Sequence, residues 1–270
     1  MKNPSPDRVA MEEGIVVGDA GNRPLKADVY TPPGAVANGA GVLLVHGGGW
    51  TTGDRSQLRG YGILLGRVGY TCVTAEYRLS GEAQWPAMID DVRTTFDWMR
   101  ATAGELEIER DRIAVEGNSA GAHLALMLAG MSKPGELAAC IAIYGPADLT
   151  RNGPRSVRRA LEAANELDAA QRLLGGTDHE LREQASPITY VSASFPATML
   201  ISGNADEIVN VEHSFLMYRA LIDAGVKAEL HVFEGQPHAF DREPAFGRQC
   251  AALMTLFLNR HVRGAQASAK

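Results

Sequence analysis

The clearest chemical feature of the sequence is a Gly-x-Ser-x-Gly pattern that runs from Gly117 to Gly121 and centres on Ser119. The residues before it, RIAVE, are typical of a strand, and those after it, AGAHLALMLAG, are typical of a helix. A sharp strand-to-helix turn would lift the serine hydroxyl off the sheet edge, with glycines on both sides where a side chain would clash. This context favours a nucleophilic serine over a structural turn.

A serine hydroxyl needs a base that removes its proton and an acid that fixes the tautomer of that base. Seven histidines compete for the first role. His238, in the loop GQPHAF after the last predicted strand, is favoured because strand ends converge there. Asp206, directly after the seventh predicted strand, is the preferred acid, with Glu207 as its adjacent rival and Asp241 as the local alternative. The order Ser119, Asp206, His238 is one of the common orders of a catalytic triad.

Acyl transfer also needs backbone N–H groups that converge on a developing oxyanion. The motif HGGGW, His46 to Trp50, ends the third predicted strand. We expect Gly47 and Gly48 to donate their N–H groups together with Ala120. Taken alone, the glycines would suit a flexible turn or a phosphate-cradling loop equally well. The two motifs together, in this order, predict a serine hydrolase.

Short β-branched runs alternate with helical patterns, which predicts an α/β fold with a mostly parallel sheet covered by helices on both faces. The first two strands should form an antiparallel hairpin at the sheet edge. The eight predicted strands are 13–19, 25–31, 41–47, 70–77, 112–117, 137–145, 197–203 and 227–233. The main predicted helices are 55–67, 87–103, 119–131, 210–224 and 244–262.

The 270 residues are long enough for two average domains. The candidate nucleophile, acid and base are spread from residue 119 to residue 238, so one sheet must bring them together. We therefore predict a single domain, 1–270, with a lid-like insertion at 146–190 after the sixth strand. Helical pieces are expected there at 155–173 and 178–185.

The sequence resembles α/β-hydrolases of the esterase/lipase group that carry an HGGGW oxyanion motif. The likeness covers HGGGWTTGDR, AEYRLS, WPA with IDDV, DRIAVEGNSAGAHLA, LLGG, ASPITYVS, GNADEIV and GQPHAF. Hormone-sensitive-lipase-like enzymes, small microbial feruloyl and acetyl esterases and kynurenine formamidases share such patterns. The resemblance implies an α/β-hydrolase fold and a triad of Ser119, Asp206 and His238. Asn118 and Ala122 depart from the hormone-sensitive-lipase-like pattern, and no long N-terminal cap segment is matched, which favours the small esterases.

The leading expectation is a serine carboxylesterase that hydrolyses short-chain or aryl esters through an acyl-enzyme. An arylformamidase or amidase would use the same groups, and a non-catalytic small-molecule-binding protein is the third hypothesis. Trp50 and Trp85 are predicted to contact substrate, because they border the expected pocket beside the 146–190 insertion.

Charge and composition exclude other classes of partner. The 26 basic against 32 acidic residues give a net charge of −6 with no basic block, which argues against nucleic acid and anionic membranes. The three cysteines, in apolar runs, indicate buried thiols in a reducing compartment. With no signal peptide and no apolar run near roughly 18 residues, we predict a cytoplasmic protein. No metal or cofactor motif is present, and the last strand or helix could pair in a homodimer.

Overall fold

The protein is described here by a computed structural model that covers residues 8–21, 23–150, 167–176 and 178–263. Eight strands form one sheet, in the spatial order β1-β2-β4-β3-β5-β6-β7-β8. The strands are β1 (Ala10–Asp19), β2 (Pro24–Thr31), β3 (Gly41–Val45), β4 (Thr71–Ala75), β5 (Ile113–Asn118), β6 (Ala139–Ile143), β7 (Ala197–Gly203) and β8 (Ala228–Phe233). All eight were predicted.

The pairing directions also confirm the sequence interpretation. β1 and β2 form an antiparallel hairpin at one edge, and β2 also pairs antiparallel with β4. Every other pairing is parallel. The inner strands β3, β4, β5 and β6 are buried along their whole length. This is why they are continuous apolar runs rather than alternating ones.

Helices cover both faces of the sheet. In the described residues they are α1 (Arg59–Gly66), α2 (Ala87–Ala101), α3 (Ala120–Met131), α4 (Leu167–Leu174), α5 (His179–Gln184), α6 (Glu212–Asp223) and α7 (Pro244–His261). One core cluster contains residues of α2, α3 and α6, and a second contains residues of α1 and α7. Most of α3 is buried, because it packs between the sheet and its neighbours.

Several predicted bounds differ from the structure by a few residues, and two of the differences have a clear local cause. The predicted helix 55–67 begins as a 3-10 turn, Arg55–Leu58, because the Asp54 side chain accepts the backbone N–H of Ser56 and tightens the first turn. The predicted strand 137–145 ends at Ile143, since Tyr144 has a positive φ of 43° that a strand cannot contain.

The 146–190 connection is described only in part, because 151–166 and 177 lie outside the described residues. Within its described part, α4 and α5 confirm helical structure, and a 3-10 turn follows at Pro187–Tyr190. Cys72, Cys140 and Cys250 are buried free thiols, as expected. In the part of the chain that the structure describes, no helix is long and apolar enough to cross a membrane.

Candidate active site

Ser119 lies on a strained turn between β5 and α3. Its φ of 55° and ψ of −118° are unfavourable for a residue with a side chain. A Cβ on Gly117 would lie 2.2 Å from the Gly121 carbonyl oxygen, and a Cβ on Gly121 would lie 2.0 Å from the Val45 carbonyl oxygen. Both positions therefore require glycine, as the motif predicts. The Ser119 N–H donates to the Ile143 carbonyl at 2.9 Å and fixes the turn to β6.

Two hydrogen bonds connect the three predicted triad residues. His238 Nε2 lies 2.9 Å from Ser119 Oγ, and His238 Nδ1 lies 2.7 Å from Asp206 Oδ2. The Asp206 side chain is fully buried, and its Oδ1 accepts the N–H groups of Ile208 at 2.9 Å and Val209 at 2.8 Å. These two bonds leave Oδ2 for the imidazole and fix its direction. The geometry suits a base whose tautomer is set by a carboxylate.

The two rival acids lie elsewhere. Glu207 is an exposed residue. Asp241, three residues after His238, accepts hydrogen bonds from Tyr61 and Asn118 at 2.8 and 2.7 Å, and also from Tyr144. Of the three acids weighed, Asp206 is the one in contact with the imidazole.

Hydrogen bonds to its carbonyl groups fix the orientation of the peptide planes in the glycine loop after β3. His46 Nδ1 donates to the Gly47 carbonyl at 2.8 Å, and the buried His46 ring stacks on Tyr77 at 4.2 Å. The Gly48 carbonyl accepts the backbone N–H groups of Thr51 and Thr52, both at 3.1 Å. Within one peptide group the N–H points away from the C=O. The anchored carbonyls of Gly47 and Gly48 therefore fix the directions of the N–H groups of Gly48 and Gly49. Burial lowers the pKa of His46, which keeps this ring neutral.

A cavity of about 990 Å³ opens above Ser119 and His238. The three predicted oxyanion donors, Gly47, Gly48 and Ala120, all line it. Its apolar wall includes Pro146, Leu149, Ala169, Ala170, Ile208 and Val209. Its polar groups include Gln57, Arg172, His213, Asp241 and Arg242. This volume is at the upper end of ordinary small-molecule pockets.

The two tryptophans predicted to contact substrate have different places. Trp50 lines the cavity, with a positive φ of 58°. Trp85 is not part of the cavity lining. Its ring packs against His123 at 5.8 Å, and its backbone N–H donates to the Leu173 carbonyl at 2.8 Å. The structure therefore gives Trp85 a packing position beneath the insertion rather than a place in the pocket. The sequence could not separate the two, because both follow predicted strands in loops near the site.

Two residues near the site have roles that the sequence interpretation did not assign. His123 is fully buried one turn into α3; its Nε2 lies 2.6 Å from the Ala185 carbonyl, which joins the helix after Ser119 to the end of α5. Desolvation lowers the pKa of His123 to about 4, so it is a neutral structural group. Tyr144 lies edge-on to the His238 ring at 4.6 Å. No signal in the sequence indicates this role, because the predicted strand 137–145 runs through Tyr144.

Comparison with known proteins then assigns the family. The BD-FAE family model matches residues 27–221. The chain belongs to the BD-FAE family. This BD-FAE protein is 31% identical to Esterase LipQ of Mycobacterium tuberculosis over 255 residues, 88% of this chain and 60% of that one. It is 29% identical to Esterase LipC of the same organism, over 87% of this chain and 60% of that one. The chain thus spans about 60% of the length of these curated relatives.

Solved structures of esterases share the fold. An esterase from Pyrobaculum calidifontis superposes on the BD-FAE chain with a TM-score of 0.81 and 23% identity, covering 93% of this chain and 85% of that one. A thermophilic esterase from Thermogutta terrifontis, solved with propionate bound, gives a TM-score of 0.77 and 24% identity over 96% of this chain and 97% of that one. The fold is the α/β-hydrolase fold, as the resemblance implied.

Proposed function

We propose that this BD-FAE chain is a serine carboxylesterase that hydrolyses short-chain esters through an acyl-enzyme. The observation that carries the proposal is the line from Ser119 through His238 to Asp206, beside an anchored glycine loop. The names of the curated relatives, which are esterases, support the same reaction class.

The reaction follows from the atoms in contact. His238 Nε2 takes the Ser119 hydroxyl proton while Oγ bonds to the ester carbonyl carbon, and the carbonyl oxygen becomes an oxyanion facing Gly47, Gly48 and Ala120. His238 then gives the proton to the departing alcohol as its C–O bond breaks. Water repeats both steps on the acyl-enzyme, so the acid leaves and Ser119 regains its proton.

The cavity lining supports a preference for short acyl groups. The lining also includes the charged residues Arg172 and Arg242. A long alkyl chain would cover these charged groups and exclude water from them, which is costly. An acetyl to butyryl group would cover less of this lining.

Two measurements test the proposal. Ser119→Ala should lower kcat/KM for p-nitrophenyl acetate by about 10⁴-fold or more, whereas the exposed Ser194→Ala should leave it unchanged. A fluorophosphonate should add to the parent protein at Ser119, as read by mass spectrometry of the peptide. Full activity in Ser119→Ala, or no adduct on the parent, would refute the triad assignment.

Substrate series then test the specificity. The rate should be highest for acetyl to butyryl p-nitrophenyl esters and fall for longer chains. Faster hydrolysis of N-formyl arylamines than of acetyl esters would replace the ester assignment by a formamidase one. The proposal also includes a small-molecule substrate, no nucleic-acid or membrane partner, and a cytoplasmic location.

A further inference from the structure

Asp241 is one of the two candidate acids of the sequence that the proposed triad does not use, and it is the centre of a separate hydrogen-bond cluster. Its Oδ2 accepts Tyr61 Oη at 2.8 Å and Asn118 Nδ2 at 2.7 Å, and its Oδ1 accepts Tyr144 Oη. These donors come from α1, from the end of β5 and from the residue after β6. One carboxylate thus joins three elements at the carboxyl edge of the sheet.

The cluster also connects the two reacting side chains. Asn118 immediately precedes Ser119, and Asp241 follows His238 by three residues, so their hydrogen bond ties the nucleophile turn to the histidine loop. Asn118 Nδ2 donates a second bond, at 2.7 Å, to Tyr144 Oη. The Tyr144 ring lies against the imidazole of His238 at 4.6 Å. The ring is therefore held from one side by the cluster and supports the base on the other.

The backbone around this cluster needs such anchors. Tyr144 and Ala239 have positive φ values of 43° and 58°, which are unfavourable for residues with a side chain. Ala239 lies between His238 and the 3-10 turn Phe240–Arg242 that carries Asp241. Without the bonds to Asp241, this loop could relax and carry the imidazole away from Ser119.

A fully buried carboxyl group, that of Glu116, lies close to the cluster. Glu116, two residues before Asn118, is completely buried, and neither of its carboxyl oxygens has a hydrogen-bond partner among the described residues. Burial, with Asp241 nearby, raises the pKa of Glu116 well above its usual range, so Glu116 is protonated.

We propose that Asp241 is a positioning residue, which acts through Asn118 and Tyr144 to hold His238 Nε2 within hydrogen-bond distance of Ser119 Oγ. The role rests on the proposed function, since it concerns the same serine and histidine. Asn118 suits it because its amide donates both hydrogens to the cluster. An aspartate at 118 would instead put a second carboxylate 2.7 Å from Asp241, where both cannot ionise.

A charge-swap experiment tests this role. Asn118→Asp and Asp241→Asn should each lower kcat and the fluorophosphonate labelling rate of Ser119 by roughly 10- to 100-fold, the effect of losing hydrogen bonds to a charged group. KM should change by less than about twofold, because the proposed role acts on the position of His238 rather than on the binding of substrate. The double variant Asn118→Asp/Asp241→Asn restores one carboxylate and one amide, and should recover to within about threefold of the parent.

The controls separate positioning from stability and from the ester assignment. Glu243→Gln changes an exposed carboxylate in the same loop and should label at the parent rate. If Asn118→Asp does not fold, as judged by its Tm, Tyr144→Phe keeps the ring against His238, removes only the hydroxyl, and should still slow labelling.

Folded single variants that label at the parent rate, or a swap no faster than the slower single variant, would overturn the positioning role. No labelling of the parent would instead overturn the proposed function.

Discussion

Asp206→Asn is the sharpest test of the proposed triad, because the structure predicts which way the new amide must face. Asp206 Oδ1 accepts two backbone N–H groups, from Ile208 and Val209. The amide oxygen of the variant must take this place, since an NH₂ group there would face two donors. Its NH₂ group then lies where Oδ2 was, 2.7 Å from His238 Nδ1. Nδ1 must accept, so the proton moves to Nε2.

This tautomer cannot remove the proton of Ser119, although every heavy atom keeps its place. The same exchange in a serine-protease triad lowers kcat about 10⁴-fold, which corresponds to about 5.5 kcal/mol of transition-state stabilisation. We expect a loss of that size in the hydrolysis of p-nitrophenyl acetate and in the fluorophosphonate labelling rate. The Tm should change little, because both backbone hydrogen bonds to residue 206 remain.

The matched control is Glu207→Gln, which makes the same chemical change one residue away on an exposed side chain. It should retain the parent rate. A folded Asp206→Asn within about tenfold of the parent would refute the tautomer argument. A large loss in Glu207→Gln instead would transfer the acid role to the neighbouring carboxylate.

Two further predictions concern the stability of the frame. Gly121→Ala places a Cβ 2.0 Å from the Val45 carbonyl oxygen and should lower the free energy of unfolding, measured in urea, by about 1–3 kcal/mol or more. Gly60→Ala places its Cβ in open space and should not destabilise the protein. Glu136 is buried, and its hydrogen bonds with Arg93 lower its pKa from 4.5 to about 2. Because the pKa of Glu136 is lower in the folded protein, its ionised carboxylate stabilises the fold above pH 4.5. This stabilisation is lost as the pH falls towards 2. Glu136→Gln should therefore lower the free energy of unfolding by at most about 3 kcal/mol at pH 7, and the difference from the parent should disappear by pH 2. A difference that stays constant with pH would contradict this prediction.

The parts of the site that the sequence predicted are those that depend on local chemistry and strand order. Gly117 and Gly121 are required by contacts within or next to the turn, so the motif itself specifies the conformation of Ser119. Asp206 and His238 lie in the loops that follow β7 and β8. These strands are parallel, so their carboxyl ends lie at the same edge of the sheet. Their identification needed only the order of the strands, which hydrophobic runs make visible.

The parts that the sequence did not predict depend on side-chain directions across the tertiary structure. Trp50 and Trp85 both follow predicted strands, yet one faces the cavity and the other packs on His123. Tyr144 continues an apolar run, so periodicity extends the strand through it. The bond from Asn118 to Asp241 spans 123 positions and joins neighbouring loops, for which no local pattern exists.

The strain at the site explains why these distant contacts are needed. Five described residues other than glycine have positive φ, and four of them, Trp50, Ser119, Tyr144 and Ala239, line the cavity. Three are tied by backbone bonds to neighbouring segments: the Trp50 carbonyl accepts at 2.7 Å, the Ser119 N–H donates at 2.9 Å, and the Tyr144 N–H donates at 2.7 Å. Ala239 lies two residues before Asp241, the centre of the hydrogen-bond cluster. A buried parallel sheet can hold such conformations because its strands leave the loop ends little freedom, and this fixes the side chains before substrate arrives.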